Sequence, residues 1–162
     1  MDIRDCIIDC RNSGLVGWSL VEYAQHCVML QMTYSYDNPF VMPTRAFEMG
    51  NGYCVQQAYC MNRILRALGF DCELVYSTKV EVRNKIIDGK TVEPFTSGHT
   101  WNRVTIDGAT KDVCTTNASN RPGQVSFTPI APVKHYGPVI AFAGYLGSIP
   151  ECMRLKRKYA SE

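Results

Sequence analysis

Cys54 sits in Gly50-Asn51-Gly52-Tyr53-Cys54, immediately before a run with helical periodicity. A thiol reacts as its thiolate, and the dipole and unpaired amides of a helix start favour that form. Glycines at 50 and 52 let the backbone approach closely, and the Cys54 N–H can serve as an oxyanion donor. His99 follows in Gly98-His99-Thr100-Trp101, at the start of a strand-like run. An imidazole there can hold the thiolate and then protonate a leaving amine. Asp112, beyond the Asp107-Gly108 turn, has the chemistry to orient that imidazole, completing a nucleophile–base–orienter set. His26 and His135 lack a comparable setting.

The elements that must position these residues are legible from periodicity and punctuation. Residues 2–12 read as a short helix capped by Asp2. Ser19 and Glu22 form a capping-box pattern flanked by Trp18 and Tyr23, opening a second helix that Asp37-Asn38-Pro39 ends. Thr44 to Met49 can form a short helix. A long helix starts at Tyr53 or Cys54, buries Val55, Ala58, Leu65 and Leu68, and stops at Gly69. Residues 72–76, 79–83 and 100–106 then alternate as strands, with Asp88-Gly89 and Asp107-Gly108 as turns. Helices followed by antiparallel strands predict an α+β fold.

The hairpin arithmetic tests Asp112. A two-residue turn at Asp107-Gly108 pairs Ile106 with Ala109 and puts Asp112 opposite Arg103, while His99 falls near Thr116. Asp112 then lies roughly 13 Å along the strand from the ideal place, although on the correct face. A bulge or wider turn would restore it; otherwise Asn117 can substitute, since a Cys-His-Asn set performs the same role.

With 162 residues, 46% apolar and 20% charged, the chain has the size and composition of one domain with its own core. A net charge of +2 is too small to suggest a nucleic-acid surface. The Arg154, Lys156, Arg157, Lys158 cluster reads as a solvated helix end. No apolar run is long enough to span a membrane, and the charged N-terminus is unlike a secretory leader, so a cytoplasmic location is expected. The eight cysteines contain no CxxC pair. Cys6 and Cys10 share a helix face at i, i+4, but without a partner motif no metal site is expected.

Gly52-Tyr53-Cys54, Ala58, Leu65-Arg66-Ala67-Leu68-Gly69-Phe70, His99-Thr100-Trp101-Asn102 and Asp112 together resemble the transglutaminase-like core. Tyr34 and Ala46-Phe47-Glu48 look similar to what precedes the cysteine in small members. The resemblance covers about residues 18 to 116, leaving 117–162 as a C-terminal extension of one domain. It implies a papain/transglutaminase-like fold, N-terminal helices packed on an antiparallel sheet, with Cys54 as nucleophile, His99 as general base and acid, and Asp112 as orienter. It also implies acyl transfer through a Cys54 thioester: a peptide or protein amide is the acyl donor, and water or an amine is the acceptor. A side chain upstream of Cys54 supplies the other oxyanion donor, with Gln31, Tyr34, Tyr36 and Trp18 as candidates. No calcium loop is present and no cofactor is expected. Two alternatives stand beside this reading: a binding module of the same fold without turnover, and an arylamine N-acetyltransferase-like enzyme, which 162 residues barely accommodate. Residues 127–150 are a candidate lid over the cleft.

Overall fold

The computed structural model describes residues 1–160 except 84 and 88; of 138–142, 159 and 160 it describes the backbone course alone. Helix α1, Ile3–Asn12, starts as expected: Asp2 and Asp5 cap each other's backbone N–H reciprocally, at 2.9 and 3.0 Å. Helix α2 spans Gly17–Gln31, with Val16 at its N-cap and no side-chain cap. The expected Ser19–Glu22 box therefore does not form. Glu22 instead pairs with Arg121 at 3.1 Å, a contact across 99 positions that local pattern cannot reveal. Strand β1, Thr33–Tyr34, follows, then α3, Pro43–Met49, which ends on left-handed Gly50. Strand β2, Asn51–Gly52, runs parallel to β1 and leads into α4, Cys54–Ala67.

After Gly69 the chain turns to strands. The two segments expected at 72–76 and 79–83 are one strand, β3, Asp71–Val82, with an irregularity between Ser77 and Val80. A small hairpin, β4 (Lys85–Ile87) and β5 (Lys90–Val92), precedes β6, Phe95–Ile106, and β7, Ala109–Val113. Strands β8, Phe127–Pro129, and β9, Lys134–His135, both pair with β3. The chain then enters α5, Pro138–Ala160. The main sheet has the antiparallel order β7-β6-β3-β8, with β9 beside β3. This is the α+β architecture that the sequence predicts.

Layering follows from the strand period. Val104 joins the apolar residues of α1, α2 and α4 in the principal core, and Asn102 donates to the Ala58 carbonyl at 2.9 Å. Trp101, one residue on from Thr100, packs instead with Val75, Val80, Val82, Cys114 and Phe127. Helix α4 is therefore bound to the central strand, which fixes the distance between its N-terminus and the start of β6. Among the described residues no helix is long and apolar enough to cross a membrane.

Candidate active site

Cys54 is the first residue of α4, and two glutamines hold it there. Gln56 accepts from the Tyr53 N–H at 3.1 Å and donates to the carbonyls of Asn38 and Val41. Gln57 donates to the Gly52 carbonyl at 3.0 Å and accepts from the Thr115 hydroxyl at 3.3 Å. Both side chains are fully buried, so their amides are unshared with water and specify one loop path. A Cβ at Gly52 would stand 2.9 Å from Gln56 Oε1 and from Met32 Cε, which accounts for glycine two positions before the thiol.

Cys54 is 8% exposed, and burial raises its pKa above the ordinary thiol value. The Thr100 N–H, the Lys85 charge and the Tyr34 hydroxyl oppose that shift by favouring the thiolate. His99 is 6% exposed, stacked on Trp101 at 5.9 Å and edge-on to Phe127 at 4.6 Å. Its pKa is pushed down to about 3, first by burial and then by the Lys85 charge. Burial thus favours a neutral thiol and a neutral imidazole. Burial outweighs the helix start from which a resting thiolate is expected.

The hairpin has the register that a two-residue turn dictates. Asp107 and Gly108 both have positive φ, Ile106 pairs with Ala109, and Arg103 pairs with Asp112. Asp112 accepts from Arg103 Nε at 2.9 Å and is not brought to His99. His99 Nε2 instead stands 3.3 Å from Cys114 Sγ, which in turn lies 3.2 Å from Thr116 Oγ1. The Asn117 carboxamide oxygen accepts from the Ser119 N–H and hydroxyl. Asp112→Asn is therefore expected to cost at most about 1 kcal/mol, the worth of a partly exposed ion pair. Cys54 alkylation should keep its wild-type rate; a tenfold loss would return Asp112 to the site.

Lys85 carries no sequence signal of a place beside Cys54. It lies in a hairpin whose lysines and Asp-Gly turn read as surface, yet it is 2% exposed. Its Nζ donates to the Thr116 carbonyl at 2.8 Å and sits 3.1 Å from the Tyr34 ring centroid. Burial lowers its pKa to about 7, against the pull of Cys114 and Cys54. Tyr34, whose hydroxyl donates to Tyr36 at 3.2 Å, is kept a phenol by burial and so stays a donor.

Cys54 and His99 border one cleft of about 360 Å³, with Tyr34, Ser77 and Gly98 around them. Helix α5 forms its opposite wall. Ser148 shares a 2.8 Å hydrogen bond with Tyr53, Lys156 pairs with Asp37 at 2.8 Å, and Cys152 and Leu155 pack into the cluster holding Cys54. A larger cavity of about 600 Å³ adjoins it, sharing Val55, Thr100 and Tyr136. The candidate lid of residues 127–150 thus resolves into two short strands and the first half of a wall helix.

A search of curated protein sequences finds no match. Among solved structures, the fold is similar to a TGase (TM-score 0.53, 15% identity), covering 73% of this chain and 31% of that one. A candidate protease of Parabacteroides distasonis is matched at TM-score 0.48 and 13% identity, over 82% of this chain and 26% of that one. The chain therefore spans about a third or less of the length of either. The model of the transglutaminase-like superfamily matches residues 20–110, more than half of the sequence and inclusive of Cys54 and His99. The chain belongs to the transglutaminase-like superfamily.

Proposed function

We propose that the protein is a cysteine-dependent enzyme that cleaves or transfers the acyl group of a peptide or protein amide through a thioester on Cys54. The observation that carries this reading is the shared cleft: the first residue of α4 and the first buried residue of β6 face the same cavity. As substrate enters, His99 takes the Cys54 proton and the sulfur pair attacks the carbonyl carbon. The carbonyl π pair moves to oxygen, where the Cys54 N–H can receive it, joined by the Tyr34 hydroxyl once its hydrogen turns from Tyr36. Collapse breaks the C–N bond, and the amine leaves with the proton from His99. Water or an amine then attacks the thioester with His99 again as base, restoring the thiol. Cys114 occupies the orienter's place without a carboxylate's charge, so the base works as a neutral imidazole in a dry pocket.

Two outcomes separate this enzyme from a turnover-free binding module of the same fold, which the missing carboxylate would favour. Glutamine-containing peptides are incubated with hydroxylamine, which intercepts a thioester as hydroxamate. Hydroxamate and released ammonia should both appear with wild type and vanish in Cys54→Ala. His99→Ala should lose about a hundredfold or more, the usual contribution of a general base. Turnover that survives Cys54→Ala, or is absent from wild type across a peptide library, refutes the enzyme.

A further inference from the structure

Outside the cleft, α1 and α2 bring three thiols together. Cys6 and Cys10 lie one helical turn apart on α1, and Cys27 comes from α2. Their three Sγ atoms all lie within 4.8 Å of one another. Cys6 and Cys10 are 0% and 1% exposed, Cys27 is half-buried, and all three are free. Asp9 adds an oxygen at the open side: its Oδ2 is 3.9 Å from Cys27 Sγ and accepts from the Tyr23 hydroxyl at 2.8 Å.

We propose that Cys6, Cys10 and Cys27 form a binding site for a thiophilic divalent cation, Zn²⁺, with a water as the fourth, oxygen ligand. Zinc–sulfur bonds of about 2.3 Å in tetrahedral geometry set the sulfurs roughly 3.8 Å apart. Since the three atoms already lie within 4.8 Å of one another, that spacing asks for movements of about an ångström or less. The charge selects the ion. Three thiolates with Zn²⁺ leave a net charge of −1, whereas a monovalent soft ion such as Cu⁺ leaves −2 beside two fully buried residues, which costs far more desolvation. The ordinary role of a buried cysteine, filling core as a small hydrophobe, does not require three sulfurs to converge beside a carboxylate.

A cation arriving at this cluster binds the sulfurs as thiolates and releases up to about three protons to buffer. The site would staple α1 to α2 within the principal core, a cluster separate from the one holding Cys54, and its role is structural.

The test uses the reduced protein with Cys54→Ala, so that the cleft thiol does not compete. Co²⁺, titrated as the spectroscopic stand-in, should give sulfur-to-metal charge-transfer absorption saturating at one equivalent, and Zn²⁺ should displace it. Saturating Zn²⁺ should raise Tm by about 5 °C or more. Cys27→Ser, at a half-exposed position that tolerates the change, should abolish the absorption and the Tm shift, whereas Cys60→Ala should leave both. Absence of charge transfer in the parent protein overturns the site, as does its persistence in Cys27→Ser. Loss of two hydrogens by mass on mild oxidation, with no metal bound under reducing conditions, would make the cluster a disulfide pair and also overturn it.

Discussion

Cys114→Asp should raise the alkylation rate of Cys54 at pH 6 by at least about tenfold. His99 Nε2 lies 3.3 Å from Cys114 Sγ, so a carboxylate at position 114 falls within hydrogen-bond reach of the ring. A neighbouring carboxylate lifts an imidazole pKa by about 1 to 3, and each such step is a factor of ten in the imidazolium population. In the wild type that population is negligible at pH 6, because burial and the Lys85 charge hold His99 near 3. Aspartate supplies the missing stabilisation twice, once directly and once by neutralising Lys85, which interacts with position 114. An imidazolium in turn favours the Cys54 thiolate across the cleft. Burial of a new carboxylate costs several kcal/mol unpaired, and the adjacent ammonium offsets much of it. Iodoacetamide labelling between pH 5 and 8, read by intact mass, follows the rate, and the His99 ring resonances follow its pKa. Cys114→Ser, which changes no charge, should leave the profile as in wild type. A folded Cys114→Asp protein with unaltered labelling and an unmoved His99 pKa would show that position 114 does not govern the imidazole. If aspartate prevents folding, Cys114→Asn should still shift the His99 ring resonances.

The parts of this site that sequence makes legible are those set by local rules. Cys54 is marked by a helix start and two glycines, His99 by the strand-like run that follows it, and the β6–β7 register by Asp107-Gly108. The same register arithmetic places Asp112 opposite Arg103, four residues short of His99. What it leaves vacant is filled by a thiol, and Cys114 carries no sequence signal because cysteine reads as apolar core. Lys85 is hidden for the opposite reason: lysine beside a turn reads as surface, and only tertiary packing under Thr116 and Tyr34 buries it. Gln56 carries a local signal. A glutamine at the third helical position fits a cap, and the structure uses it so. The C-terminal helix, with Pro150 inside it and no strong apolar stripe, has no local pattern that reveals it as the cleft wall.

Lys85→Met should make the protein more stable at pH 6 and less reactive at Cys54. In the unfolded chain Lys85 titrates near 10.5, and burial lowers it to about 7 in the fold. Between those values the unfolded state holds the proton that the folded state has lost, so stability rises with pH. Below about 7 both states are charged and the fold carries the full penalty, on the order of 4 to 5 kcal/mol. Methionine fills a similar volume without charge; it forfeits the bond to the Thr116 carbonyl and the contact over Tyr34, each worth about 1 to 2 kcal/mol. The balance is a gain of about 2 kcal/mol at pH 6, or Tm higher by roughly 5 °C. From pH 7 to 9 the wild type should recover about 2 kcal/mol that the variant does not, before the buried thiols, whose pKa values are raised, begin to favour unfolding at still higher pH. His99 adds a second, acid-side window. Its ordinary value of 6.5 falls to about 3 in the wild type, so stability present above pH 6.5 is lost as pH drops towards 3; without the Lys85 charge that window narrows in the variant. Reactivity moves the other way. The ammonium favours the Cys54 thiolate, and removing it should slow alkylation at pH 7 about tenfold. Urea titrations at pH 6, 7, 8 and 9 measure the first effect, and labelling kinetics measure the second. Parallel stability profiles for the two proteins would show that Lys85 is not held in a dry site, and equal labelling rates would remove it from the chemistry of Cys54. A buried cation that costs the fold several kcal/mol and favours one thiolate is the balance expected where stability has been exchanged for reactivity.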